Sequence, residues 1–268
     1  MLMFVHELSH RPIKNSASKR DSLTDELIEL YDKDFEINYD AETEEFDMEC
    51  KKFMNEFVGH IFEADGYSTQ EDKAKFGLLV QHQEGRSWFA KFVDGQRVKS
   101  KEVTEFAFYR LVQYFAVCLF ECNVADDFAP ATTLMNMCFT YNFTSTNAIG
   151  RTAGQSSKQF VYEYLKDQPI WKSLRFWDSA FLMAIHADRT KRIGAMSGWN
   201  TWDQQQKDDF EIGEENSAFA HLASFLYMMN ALGVEKNDRE IFRNKMSTIG
   251  NLREEQIREL EESIEILQ

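Results

Sequence analysis

From residue 47 onward apolar side chains recur at spacings of three and four, and runs alternating apolar with polar are missing, so the pattern predicts α-helices throughout. Phe53, Met54, Phe57, Val58, Ile61 and Phe62 mark a first amphipathic helix, with Asp47 as its expected N-cap. Ser68 and Glu71 stand at capping-box spacing and open a second. Trp88, Phe89, Phe92 and Val93 mark a third, ending near Gly95. A central helix is expected from about Lys101 to Cys122, and its stretch Phe106 to Phe120 is the most apolar in the chain and reads as buried. Pro130 fits the first turn of the next helix, where a missing N–H costs nothing, and Leu134, Met135, Cys138 and Phe139 continue that helix's stripe.

Residues 142–157 are small and polar, the composition of a mobile loop. Beyond them Phe160, Val161, Tyr164 and Leu165 predict a short helix that stops before Pro169, which in turn opens a helix from 170 to about 188. A helix from near Glu214 to Leu232 is closed by Gly233. Asn237 is the expected cap of another, carrying Ile241, Phe242 and Met246, and Asn251 with Glu254 caps a last one to Leu267. The fold class is therefore all-α: a multi-helix bundle of about nine or ten helices over residues 47–268, a single domain that admits two lobes meeting at the 142–157 loop.

At 268 residues with 43% apolar content and 23 Phe, the chain can bury a large core. The net charge of −15 is concentrated: residues 21–50 hold 13 acids against the single Lys33. Residues 51–250 are nearly neutral, with no basic field to concentrate phosphate, which argues against nucleic acid as a partner. Residues 1–46 read as a flexible acidic leader whose Leu23, Leu27, Ile28, Tyr31 and Phe35 also suit a short partner-bound helix. No run approaches the roughly 18 to 20 apolar residues of a membrane span, and no signal peptide is expected. Four Cys without paired spacings point to a reducing compartment, hence the cytoplasm.

Motifs of catalysis are present only as fragments. His6-Glu7-Leu8-Ser9-His10 has the letters of a zinc-protease helix, but only five residues precede it and Arg11-Pro12 follows directly. Cys118 and Cys122 share a helical face with no further ligand near in sequence, and read as buried hydrophobes. Gly154-Gln155-Ser156-Ser157 lacks the second glycine of a nucleophile elbow, and no phosphate-cradling glycine pattern occurs. No metal or cofactor is called for, although His60, His82, His186 and His221 leave open a site assembled from residues distant in sequence.

The most informative segment runs from Ile170 to Ile185, where Trp171, Leu174, Trp177, Ala180, Phe181, Leu182, Ala184 and Ile185 cover an arc wider than an ordinary helix stripe, leaving Phe176 and Met183 outside it. Internal packing is one reading of this helix; the other turns Phe176 and Met183 toward a partner. Trp171, Leu174, Arg175, Phe176, Trp177, Asp178, Ala180 and Phe181 resemble the signature of an uncharacterised metazoan cytoplasmic protein family known from large-scale cDNA sequencing. Further blocks of that family occur in order, at Lys73 to Gly77, Trp88 to Ala90, Phe108 to Gln113, Leu119 to Cys122, Met137 to Tyr141 and Ile249 to Leu252. Residues 170–260 also resemble the helical segment downstream of the DENN module in Rab exchange factors and SET-binding-factor pseudophosphatases. The resemblance implies a cytoplasmic, non-catalytic helical domain attached to Rab or vesicle-trafficking regulation. No DENN module or phosphatase domain accompanies it, and the 142–157 loop is short where vertebrate relatives carry a long polar insertion.

The expectation is a non-enzymatic helical adaptor that binds protein partners, with a small GTPase or its regulator as one candidate. Trp171, Arg175, Phe176, Met183, Trp199 and Trp202 form the candidate contact set. Two alternatives stand beside it: an enzyme built on His186, His221 and carboxylates, and an obligate oligomer contacting through the Trp199 and Trp202 loop.

Overall fold

The computed structural model describes residues 41–63, 68–145, 157–195 and 202–266. These contain nine α-helices and a single two-stranded sheet, so the all-α assignment holds. The chain divides into two compact units, with the boundary between Phe176 and Trp177 rather than in the 142–157 segment.

In the first unit, α1 (Ala41–Phe62), α2 (Gln70–Leu79), α3 (Gln83–Gln96), α4 (Glu105–Ala125) and α5 (Phe128–Cys138) precede β1 (Asn142–Ser145) and β2 (Ser157–Phe160). Two 3₁₀ turns, Val161–Tyr164 and Pro169–Lys172, lead to α6 (Leu174–Ala195). Helix α1 begins six residues before Asp47, so this residue is no cap; its carboxylate accepts a hydrogen bond from Trp88 Nε1 at 2.7 Å and ties α1 to α3. The capping box at the start of α2 uses Thr69 and Asp72, one residue later than Ser68 and Glu71, because Thr69 adopts the extended backbone a cap requires.

The core of this unit is aromatic. Phe57 lies 4.9 Å from Phe76 and 4.8 Å from Tyr114, and Phe76 lies 5.0 Å from Phe89. Each buried ring contributes roughly 1.5–3 kcal/mol of transfer free energy, and edge-to-face pairs add about 0.5–1.5 kcal/mol more. Between α2 and α3 the chain turns so tightly that a Cβ on Gly85 would run into the Leu79 carbonyl. Arg86, the next residue, is buried and donates to the carbonyls of Val80 and Gln81 and to Asp127 ahead of α5.

The strands were not expected. Asn142 pairs with Phe160 and Ser145 with Ser157 in antiparallel register, so both ends of the expected loop are ladder positions. Asn142 exchanges backbone hydrogen bonds with Lys101 and Val103, and Phe143 buries its ring 4.6 Å from Phe108 on α4. A four-residue strand of mixed polarity is too short to display a period of two.

The second unit holds the remainder of α6 with α7 (Gln204–Ala231), α8 (Lys236–Ile249) and α9 (Glu254–Ile266). Trp177 and Phe181 on α6 pack at 6.3 Å and 5.9 Å from Phe225 on α7, and Phe242 of α8 closes the cluster 6.0 Å from Phe181. Helix α7 starts ten residues before Glu214, capped by Asp203 with Gln206; its first turns are polar and held by Gln204–Asp208 and Gln205–Asp209 hydrogen bonds of 2.8 Å. Gly233 follows α7 at φ +76°, the left-handed closing position. The N-cap position of α8 is Glu235 rather than Asn237, and its side chain makes no capping hydrogen bond.

Candidate interaction surface

Helix α4 is apolar on two sides. Thr104 starts it by accepting a hydrogen bond from the Ala107 N–H at 3.2 Å, and Asp126 ends it in the left-handed conformation at φ 53°. Between these ends Ala107, Phe108, Leu111, Tyr114, Phe115, Cys118, Leu119 and Cys122 are buried, against α1, α5 and the strand-to-turn segment. The expectation of a wholly buried central helix fails on the opposite side. Phe106 is 74% exposed, Val124 65%, Phe120 50%, Tyr109 45% and Val117 38%. With exposed Gln113 they follow one another at steps of three, four, four, three and four residues, which places all six within an arc of roughly 80° along the full helix. The exposed row carries no charge of its own.

The candidate contact residues read from the sequence do not make such a row. Trp171 is buried with its Nε1 donating to the Leu165 carbonyl at 2.7 Å, and Phe176 is 0% exposed, 5.3 Å from the Trp171 ring. Both are therefore core residues, and the reading that turned Phe176 toward a partner is corrected by burial. Arg175 is exposed; its Nη1 donates to Asp126 at 2.9 Å and its guanidinium lies over Phe128. Met183 is half-buried on α6. Trp202 is half-buried against Phe210 at 5.6 Å, and Trp199 lies outside the described residues.

The structure does bring one histidine to a carboxylate. Asp188 Oδ2 sits 2.9 Å from His221 Nε2 and accepts the Ser217 hydroxyl at 2.9 Å. A serine nucleophile needs its hydroxyl on a base imidazole, with the carboxylate behind that imidazole. Here hydroxyl and imidazole converge on the same oxygen, so the group clamps α6 to α7. Burial works to raise the Asp188 carboxyl, but hydrogen bonds from His221 and Ser217 and the charges of His221 and Lys191 leave it below its ordinary value. His186 contributes instead to a contact with Thr190 on its own helix.

The four thiols are buried. A hydrogen bond with Cys118, then burial, pushes the Cys122 thiol well up, and burial raises Cys50 to about 12, so both stay protonated. Among the described residues no group of three or more His, Cys, Asp or Glu is placed to hold a metal ion. The His6 to His10 segment lies outside them. No helix among the described residues is long and apolar enough to cross a membrane.

The chain matches the family model described as "SBF2: Myotubularin protein" over residues 52–259, and it belongs to that family. A human relative, "Uncharacterized protein KIAA0513", is 31% identical over 326 aligned residues, which cover 86% of this chain and 78% of the relative. No solved structure matches the chain.

Proposed function

We propose that the chain is a non-catalytic regulatory protein that acts in the cytoplasm by binding other proteins, in the setting of Rab or vesicle-trafficking control. One observation carries the interaction reading: α4 spends one face on the core and leaves a second, uncharged apolar row in water from Phe106 to Val124. Apolar surface left in water forgoes about 25 cal/mol per Å² that a partner would recover, and contiguous exposed patches mark contact sites. The serine, histidine and carboxylate group on α6 and α7 is wired as a clamp and offers no competing chemistry.

Family membership supports the regulatory setting, and the resemblance of residues 170–260 to Rab exchange factors favours a small GTPase or its regulator as the partner class for that region. Proximity labelling with the full-length chain and with Phe120→Glu tests the interaction reading: wild type should return reproducible partners that the variant loses. A wild-type chain with no reproducible partner, or an unchanged set with Phe120→Glu, overturns it. For the GTPase reading, a purified Rab should bind with a preference between its GDP and GTP states; equal or absent binding across a Rab panel removes it.

A further inference from the structure

We infer that the apolar face of α4 is covered by α4 of a second copy of this chain, lying antiparallel to it. The inference rests on the reading of this face as a contact site and names its occupant. The row is close to its own mirror image: about a point near Phe115, Phe106 corresponds to Val124, Tyr109 to Phe120 and Gln113 to Val117, each within one residue. A two-fold axis through that point lays each exposed residue against its counterpart over about 27 Å of helix, the self-complementarity an isologous interface demands.

Charge is complementary in the antiparallel direction. Arg110 and Glu121 border the row on the same flank, 40° and 60° round from Phe106 at 100° per residue, and both are half-exposed. Antiparallel pairing sets Arg110 of one copy opposite Glu121 of the other, twice per dimer. Parallel pairing, whose two-fold runs along the helices, would put the two copies of this flank on opposite sides of the seam, so that Arg110 would not meet Glu121. Arg110 is already steadied at this border, its Nη1 donating to the His60 carbonyl at 3.1 Å and lying 3.4 Å from that of Glu63. Glu121 makes no ion pair within its own chain among the described residues, leaving its carboxylate for one outside it. Ala116 beside the row has no bulk to hold the helices apart. The five apolar side chains expose on the order of 500 Å², at the upper end for a monomer patch; with Gln113, Arg110, Glu121 and the neighbouring exposed Tyr164, each copy approaches the ~800 Å² that a standard interface buries.

Sedimentation of the purified full-length chain across a concentration series tests this. Wild type should be a concentration-dependent dimer. Phe120→Glu and the charge reversal Glu121→Arg should each weaken it by about tenfold or more, while Arg110→Glu combined with Glu121→Arg should recover the affinity. Phe120 and Glu121 are not core residues, and unchanged circular dichroism and melting temperature of the variants exclude unfolding as the cause. A monomer at every concentration, a dimer indifferent to both single variants, or a double variant no better than Glu121→Arg overturns the inference. A monomeric wild type whose protein partners are still lost on Phe120→Glu overturns the second copy as occupant and leaves the interaction reading standing; a monomer with no such partners defeats both.

Discussion

The Arg86 guanidinium donates to the Asp127 carboxylate at 2.8 Å with both side chains almost wholly out of water. Burial raises the Asp127 carboxyl further than the Arg86 bond lowers it, which is the mark of a pair whose desolvation cost offsets much of its attraction. Removing one partner is another matter. Arg86→Ala leaves a buried carboxylate and the Val80 and Gln81 carbonyls without their donor, and should cost about 3–5 kcal/mol in urea unfolding at neutral pH. The folded-state carboxyl would then lie still further above its unfolded value, so the group favours the folded state below the unfolded value and ceases to as pH rises through the folded one. The loss should therefore be smaller near pH 4 than at pH 7. Arg86→Met with Asp127→Leu should recover most of it; an equal loss in the double variant would count against the pairing.

Gly85 is required by the Leu79 carbonyl and not by its own backbone angles. Gly85→Ala should lower stability by about 1–3 kcal/mol as α2 and α3 are pushed apart. Gly77, whose added Cβ meets nothing within 4 Å, serves as the control, and Gly77→Ala should match or exceed wild type in thermal melts.

Asp188 makes a pH-dependent contribution whose sign follows from its lowered carboxyl. A carboxyl held below its ordinary 3.8 stabilises the folded chain above that pH, and the contribution disappears as pH falls through the folded-state value. Asp188→Asn should therefore cost stability at pH 6 and little below pH 3. Because the side chain is about a third exposed, the cost should not exceed about 1 kcal/mol. A constant difference across acid titrations monitored by fluorescence would contradict this assignment.

Much of the fold could be read in advance because its helices advertise themselves: Phe53 to Phe62 and Ile241 to Met246 keep a one-sided apolar period, and helix existence follows from that alone. Caps slipped by a residue or two where adjacent side chains were chemically equivalent, as with Ser68 and Thr69, and only backbone angles decide between them. The contact face was illegible for a different reason. Helix α4 is apolar nearly all round, so no periodicity separates Leu111, which is fully buried, from Phe120, which is half exposed; the neighbours decide, and they lie far away in sequence. The same holds for Asp188 and His221, 33 residues apart on different helices. Trp171 and Phe176 drew attention as conspicuous aromatics, but bulk of that size commonly fills a core, and here it does.

Arg239 on α8 is buried, and its Nε and Nη1 find no hydrogen-bond partner among the described residues. Two buried N–H-bearing nitrogens held that way add desolvation cost to the folded state. Arg239→Met, similar in volume and apolar, should raise stability by about 1 kcal/mol or more in denaturant titrations. A loss instead would overturn the reading of Arg239 as a net cost to the fold.

The register that sets Ser145 against Ser157 also governs what the chain can absorb. Whatever stands between those serines departs from and returns to adjacent points, so lengthening it strains no helix and asks only for closure entropy, about 0.6 kcal/mol for each doubling. The 326-residue alignment with the human relative is longer than this entire chain, so homologues do differ by inserted sequence. A pair of strands closed in that register can take up added peptide at its open end while the helices beneath keep their packing.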